Sequence, residues 1–450
     1  MSSAYIIVCI VVAIALLVFL TVKVKLHPFF ALTASAIAFG LLIGHNINDI
    51  MTSYAEGLGS TISGIGVVIA IGTVMGALME KSGGAETMAD AILRLTGKKH
   101  AALGLAITGY FVSIPVFCDS AFVLLSPLAK RMSRDTGTSM TTMAVALAMG
   151  LHATHMLVPP TPGPLSVAGI LGADLGMVIL LGMVVSIPVV AVALLAGKAL
   201  GKKYAFLPEE LAIETEEDKQ KKHPGSVEAF LPILVPIALM LLRTVATLES
   251  APFGAGFAYQ ALYALGNTDV ALLIGLVIAF ITYRRVHPED HKVWTFDGEV
   301  GDALKTAGQI VLIVGAGGAF ATVLKTSDLE TIVTQTFSGV SLGILVPFII
   351  GAIFRTAIGS GTVGMITAAS MLLPLVDVLG FNSPIGLVIA MLACASGGFM
   401  VFHGNDDFFW VVTSTSGMKP EVAYKVFPII SVLQAVTSLV CVFILQMIFL

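Results

Sequence analysis

Two stretches of this chain place charged and polar residues, glycine and proline where the flanking sequence is apolar enough to lie in a bilayer. One runs from Phe117-Cys118-Asp119-Ser120 through His152 and His155 to Pro159-Pro160-Thr161-Pro162-Gly163-Pro164. The other runs from Arg355 through Gly359-Ser360-Gly361-Thr362 to His403-Gly404-Asn405-Asp406-Asp407. They hold corresponding positions in the two halves of the sequence. In lipid every backbone N–H and C=O must be satisfied internally, so a broken span has to be buried in protein or line a wet cavity. Paired interruptions of this kind point to a binding site at the bilayer midplane between two structural repeats.

The apolar context is pervasive. The 450 residues are 57% hydrophobic and 12% charged, against roughly 25% charged in a soluble domain, and the mean hydropathy is +0.97. Such a chain is an all-α polytopic membrane protein with no soluble catalytic domain. Spans are expected near 4–22, 28–44, 58–79, 101–117, 139–157, 175–197, 229–248, 268–283, 301–323, 341–354, 364–379, 384–402 and 421–449. The segments 86–95 and 328–337 are amphipathic, too short to span, and read as interfacial helices. The first span lacks a basic leader region and reads as retained. Lysine and arginine cluster at Lys98 and Lys99, at Lys130, Arg131 and Arg134, from Lys198 to Lys222, and at Arg284, Arg285 and Lys292. The positive-inside rule places these on the cytoplasmic face and the N-terminus outside.

An offset of 243 superposes the halves: Gly72 falls on Gly315 and Asp119 on Thr362. The unequal distribution of basic residues implies that the halves are inverted, with broken or re-entrant hairpin elements in each, the architecture of secondary transporters. The expected organisation is N-terminal helices in 1–57, a first repeat in 58–197, a cytoplasmic loop in 198–228, linking helices in 229–300 and a second repeat in 301–450. The four cysteines show no CxxC spacing, so neither a structural metal nor a cofactor is expected.

Asp119 sits inside an apolar run, where a carboxylate is costly unless it faces water, pairs or is protonated. It is either a proton carrier or acceptor for a ligand hydroxyl, or it caps the next helix together with Ser120. Arg355 suits a carboxylate bidentately. Its partner is either an anionic substrate or Asp119 or Asp406. Ser360, Gly361 and Thr362 can present backbone N–H groups and hydroxyls at a half-helix start, which favours an anion. The Pro159 to Pro164 run cannot be regular helix; its freed carbonyls and Thr161 need polar partners, and the run is expected to line a cavity. His152 and His155, at i and i+3, share a helix face; they are proton-handling groups or, with His403, a metal set without the HExxH pattern. Asn405 offers both donor and acceptor to a polyol, and Asp406 adds a further titratable group.

The segments Pro159-Pro160-Thr161-Pro162-Gly163-Pro164, Gly172-Ala173-Asp174-Leu175-Gly176, Phe354-Arg355-Thr356-Ala357-Ile358-Gly359-Ser360-Gly361-Thr362-Val363 and His403-Gly404-Asn405-Asp406-Asp407-Phe408-Phe409-Trp410 resemble the signatures of the gluconate permease (GntP) family. The resemblance extends from His27-Pro28-Phe29 onward. It implies a bacterial inner-membrane symporter that takes up gluconate or a related hydroxy acid with protons, on the inverted-repeat fold of the ion-transporter superfamily. Many members have Glu-Val-Gly where this chain has Asp119-Ser120-Ala121, and His where it has Thr161. These departures leave the exact sugar acid open, a shorter substrate such as glycerate or a four-carbon aldonate included.

The resulting expectation is proton-coupled import of a small hydroxylated monocarboxylate. Its site would be built from Asp119, Ser120, Thr161, Arg355, Ser360, Gly361, Thr362 and Asn405, with Asp119, His155 or Asp406 taking the proton. The expected partners are the anionic substrate, protons and membrane lipid, with no nucleic acid; homo-oligomerisation is left open. The alternatives are sodium-coupled anion transport, an intramembrane metalloenzyme and, least fitting, a channel.

Overall fold

The computed structural model describes residues 3–208, 222–247, 253–254, 256–327, 343–404 and 406–450. Among them every regular element is helical. The first half comprises α1 (Ser3–Val18), continued by one π-helical turn to Lys23, then α2 (Pro28–Leu42), α3 (Ile47–Lys81), α4 (Gly84–Thr96), α5 (Ala101–Val112), α6 (Cys118–Thr136), α7 (Met140–Leu157), α8 (Pro162–Leu171) and α9 (Leu175–Lys203). The second comprises α10 (Ser226–Ala246), α11 (Phe257–Leu265), α12 (Thr268–Val286), α13 (Glu299–Lys325), α14 (Leu345–Ile358), α15 (Gly361–Leu372), α16 (Pro384–Gly397), α17 (Asp407–Ser416) and α18 (Pro420–Phe449).

Among the described residues six spans are long and apolar enough to cross a membrane: α3, the run of α7 and α8, α9, α10, α13 and α18. α11 and α12 form a further pair bent by 70°. The elements carrying the breaks are shorter than expected. The span anticipated at 101–117 stops at Val112, and that anticipated at 364–379 is helical only from Gly361 to Leu372 before a 3-10 turn. Twelve residues make a helix of about 18 Å, little more than half of the ~30 Å hydrocarbon core. Each therefore ends inside the protein, and its free backbone groups must find partners there. Other boundaries also move. Residue 57 lies inside α3, α9 continues to Lys203, and α10 starts at Ser226, so the 198–228 loop is shorter than expected. α4 matches the amphipathic 86–95 segment, burying Met88, Ala89, Ile92 and Leu93 while Asp90 and Arg94 are exposed. The 328–337 segment and Asn405 lie outside the described residues.

The halves repeat in element order. α6 and α15 start 243 residues apart (361 less 118), and α8 and α17 start 245 apart (407 less 162). Packing is reciprocal. α5 packs on α7 as α14 packs on α16; α2 packs on α13 as α12 packs on α3; α8 packs on α15 as α17 packs on α6. The last pair of contacts matters most, because the helix after each break lies against the hairpin of the other half. That brings the two breaks together.

α3 and α13 form the most extensive helix pair among the described residues. Their approach depends on small residues, as expected where lipid offers no hydrophobic drive between helices. A Cβ on Gly57 would lie 2.7 Å from the Gly318 carbonyl oxygen; likewise between α5 and α7, a Cβ on Gly109 would lie 2.7 Å from that of Leu147. We expect Gly57→Leu to separate α3 from α13 at an overpacking cost of about 1–3 kcal/mol, read as a lower melting temperature in detergent. Gly59→Leu, where a Cβ meets open space, should leave the melting temperature unchanged.

Candidate substrate site

The two breaks enclose a cavity of about 240 Å³. Cys118 and Asp119 line it from the start of α6, His152, His155 and Met156 from α7, and Arg355 and Ile358 from the end of α14. Ser360 to Val363 and Asp406 to Phe408 complete it, with Thr21 and Pro28 from the N-terminal helices. The volume lies below the roughly 300–1,000 Å³ of drug-sized sites, which suits a small ligand.

Three helices, α6, α15 and α17, begin at this cavity. Their local sequences explain the starts. α14 ends because Gly359 takes φ +87°, a conformation glycine tolerates. Ser360 then caps α15, its Oγ accepting the Val363 N–H at 3.4 Å. Asp406 caps α17, accepting the Phe408 N–H at 2.8 Å. The starts direct partial positive charge into the cavity.

Arg355 is 1% exposed, which makes it the deepest cation of the site. Its guanidinium donates to the Gly359 carbonyl and to the Asp406 carboxylate. One arginine thus closes the C-terminal end of α14 and ties it to the cap of α17, 51 residues further along. Its Nε–H is buried without a hydrogen-bond partner, and its Cζ lies 5.7 Å from the centre of the Phe402 ring. Phe402 belongs to the stretch between α16 and α17. There Val401 adopts φ +48°, a strained conformation for a β-branched residue. The Phe402 N–H holds it by donating to Ser431 Oγ at 2.9 Å.

The remaining expected residues divide. Asp119 lines the cavity with one carboxylate oxygen buried and unpartnered, on the same wall system as Asp406 and Asp407. Ser360, Gly361, Thr362 and His155 also line it. Ser120 does not; its hydroxyl faces the Glu80 carboxyl of α3. Thr161 does not either. Its hydroxyl donates to the Val158 carbonyl at 2.7 Å and lies 3.0 Å from that of His155, serving the carbonyls released where α7 ends. It borders a small side pocket with Gly72, Pro115 and Pro160. His152 is boxed by aromatic rings, its centroid 5.2 Å from that of Phe399 and 5.4 Å from that of Phe402. His403 is not part of the lining, and among the described residues no three His, Cys, Asp or Glu side chains are grouped to hold a metal. Thr21 and Pro28 were not legible beforehand. Their only local signal is a hydroxyl in the last turn of an apolar segment, where Thr21 bonds the Leu17 carbonyl at 2.7 Å.

Removing one partner from a buried ion pair leaves an uncompensated charge and costs about 3–5 kcal/mol, whereas replacing both with apolar groups is often neutral. We expect Arg355→Met and Asp406→Leu each to lower the melting temperature in detergent sharply. The double variant should recover most of the loss.

A profile of the GntP family permeases matches residues 5–448. A gluconate permease of Pseudomonas aeruginosa is 32% identical over 99% of this chain and 98% of its own length. The D-serine transporter DsdX of Escherichia coli is 31% identical over 99% of both chains. Among solved structures, the YdaH transporter of Alcanivorax borkumensis, described as having an unusual topology, aligns with a TM-score of 0.66 at 14% identity, covering 93% of this chain and 97% of that one. The helix content, the broken spans and this likeness define the fold, and the relatives are permeases and not enzymes. The chain belongs to the GntP family of permeases, as a multi-pass protein of the inner membrane.

Proposed function

We propose that this permease imports gluconate or a related small hydroxy monocarboxylate together with a proton. The observation that carries the proposal is the charge balance of the cavity. Asp119, Asp406 and Asp407 face it, and the one guanidinium among its described lining residues, that of Arg355, is already paired with Asp406. An anion held about 6 Å from an unpaired carboxylate meets roughly 3 kcal/mol of repulsion at an effective dielectric near 20. A proton on Asp119 removes that repulsion, so substrate and proton favour each other's binding. The substrate carboxylate docks at the α15 start, on Ser360, Gly361 and Thr362, with the free Nε–H of Arg355 as an added donor. Hydroxyls meet Asp119 and, in this reading, Asn405. His155, in the cavity lining, is a second proton-handling group, and Asp406 chiefly holds Arg355.

The reciprocal packing of the halves supports an inverted repeat, in which the broken elements move against the long spans to alternate access. The acidic lining also favours a second reading, a zwitterion whose ammonium meets Asp119 or Asp407, in keeping with the relative named as a D-serine transporter. Competition of gluconate, other aldonates, glycerate, D-serine and citrate against labelled gluconate separates the two.

Uptake into proteoliposomes with an acidic exterior tests the coupling. One proton per substrate gives at most about tenfold accumulation per pH unit, abolished by an uncoupler and indifferent to sodium. Asp119→Asn should retain exchange of substrate across the membrane but lose gradient-driven accumulation. Accumulation that survives the uncoupler and requires sodium would overturn proton coupling.

A further inference from the structure

At the opposite end of α5 from the substrate cavity lies a second cavity, of about 460 Å³. Lys99, Lys198 and Lys202 line it together with the hydroxyl residues Thr138, Ser139 and Thr142. It opens between the start of α5, the start of α7 and the end of α9, three helices that pack on one another. Gly201 forms part of its floor, where α9 lies so close to Thr142 of α7 that no side chain fits. None of the three lysines has a carboxylate partner among the described residues, whereas the neighbouring Lys98 pairs with Asp135 at 3.2 Å. The α5 start, Ala101 to Leu103, also lines the cavity and adds the positive end of its dipole. Three ammonium groups and a helix start in one concavity suit a phosphate-bearing anion, with the Thr138 and Ser139 hydroxyls beside them; that of Thr142 already donates to the Gly197 carbonyl at 3.3 Å.

The surface beside the cavity identifies which anion. On α9, Val184, Ile187 and Leu195 are 50%, 60% and 65% exposed. At 100° per residue these three positions fall on the same face as Lys198 and Lys202. An exposed apolar stripe therefore runs along the helix and ends at the lysines. From Ile187 to Lys198 the rise is about 16 Å, close to half of the ~30 Å hydrocarbon core, the depth of one leaflet. Leu103 of α5, 39% exposed, continues the apolar wall on the other side. The basic residues place this end on the cytoplasmic face, where basic pockets between membrane helices attract anionic headgroups.

We propose that this cavity binds the phosphate of an anionic phospholipid of the cytoplasmic leaflet, with an acyl chain lying along Leu195, Ile187 and Val184. A free phosphate ion would use the lysines but gain nothing from the stripe.

The test uses the purified full-length chain and native mass spectrometry with phosphatidylglycerol, phosphatidylcholine and inorganic phosphate as probes. Near a membrane each lysine contributes on the order of 1 kcal/mol toward an anionic headgroup. The expected preference for phosphatidylglycerol over phosphatidylcholine is therefore on the order of 100-fold for three lysines. The triple substitution Lys99→Gln, Lys198→Gln and Lys202→Gln should abolish that preference, and the triple Lys→Arg variant should keep it. On the unaltered protein, phosphatidylglycerol should protect Lys99 and Lys202 from an amine-reactive label, and phosphatidylcholine should not. An unchanged preference in the Gln variant, absence of protection, or equal protection by inorganic phosphate would overturn the proposal.

Discussion

The ion pair between Arg355 and Asp406 is the interaction on which the rest of the site depends. A guanidinium at 1% exposure inside a membrane protein is tolerable only with its charge balanced. Here the donors stitch three discontinuities together: the carbonyl left over at Gly359, the cap of α17 at Asp406, and through the Phe402 ring the strained stretch between α16 and α17. Half-helices that stop in the bilayer need partners for their free ends, and this arginine supplies them for the second break. The first break uses a different device, the Thr161 hydroxyl on the carbonyls at the end of α7. The two halves thus repeat in element order while solving the same backbone problem with different chemistry.

Because Asp406 already occupies Arg355, the cavity is acidic overall, although three helix starts point into it. That combination is informative. Helix starts and the unused Nε–H suit the carboxylate of a substrate, while Asp119 and Asp407 oppose it. In the proposed cycle a proton resolves the conflict. The same acids would welcome an ammonium, which is why a zwitterion stands as the second reading. Both follow from one charge count.

Much of this was legible in the sequence, for a physical reason. Intramembrane charge and broken helix are so costly that they stand out, and Asp119, Arg355, the Ser360 to Thr362 segment and Asp406 all fall in one cavity. What was not legible depends on tertiary geometry. The partner of Arg355 was left open between a substrate and two acids, because a pairing across 51 residues has no local signature. Thr161 and Ser120 lie beside site residues in sequence, yet a threonine hydroxyl can turn to its own backbone, and successive residues at a helix start face different neighbours. The contribution of Thr21 and Pro28 comes from the packing of the N-terminal helices against the cavity. The half-length of α5 and α15 was concealed by apolar sequence that continues past their ends.

The most direct measurement is the number of protons taken up when gluconate binds to the purified protein, obtained by calorimetry in buffers of different ionisation enthalpy. Linkage requires that a substrate which favours protonation of its site draw protons from solution. The proposed coupling predicts about one proton taken up per gluconate bound by the native chain and none by Asp119→Asn. Gluconate binding to the native chain with no proton uptake at any pH would contradict it.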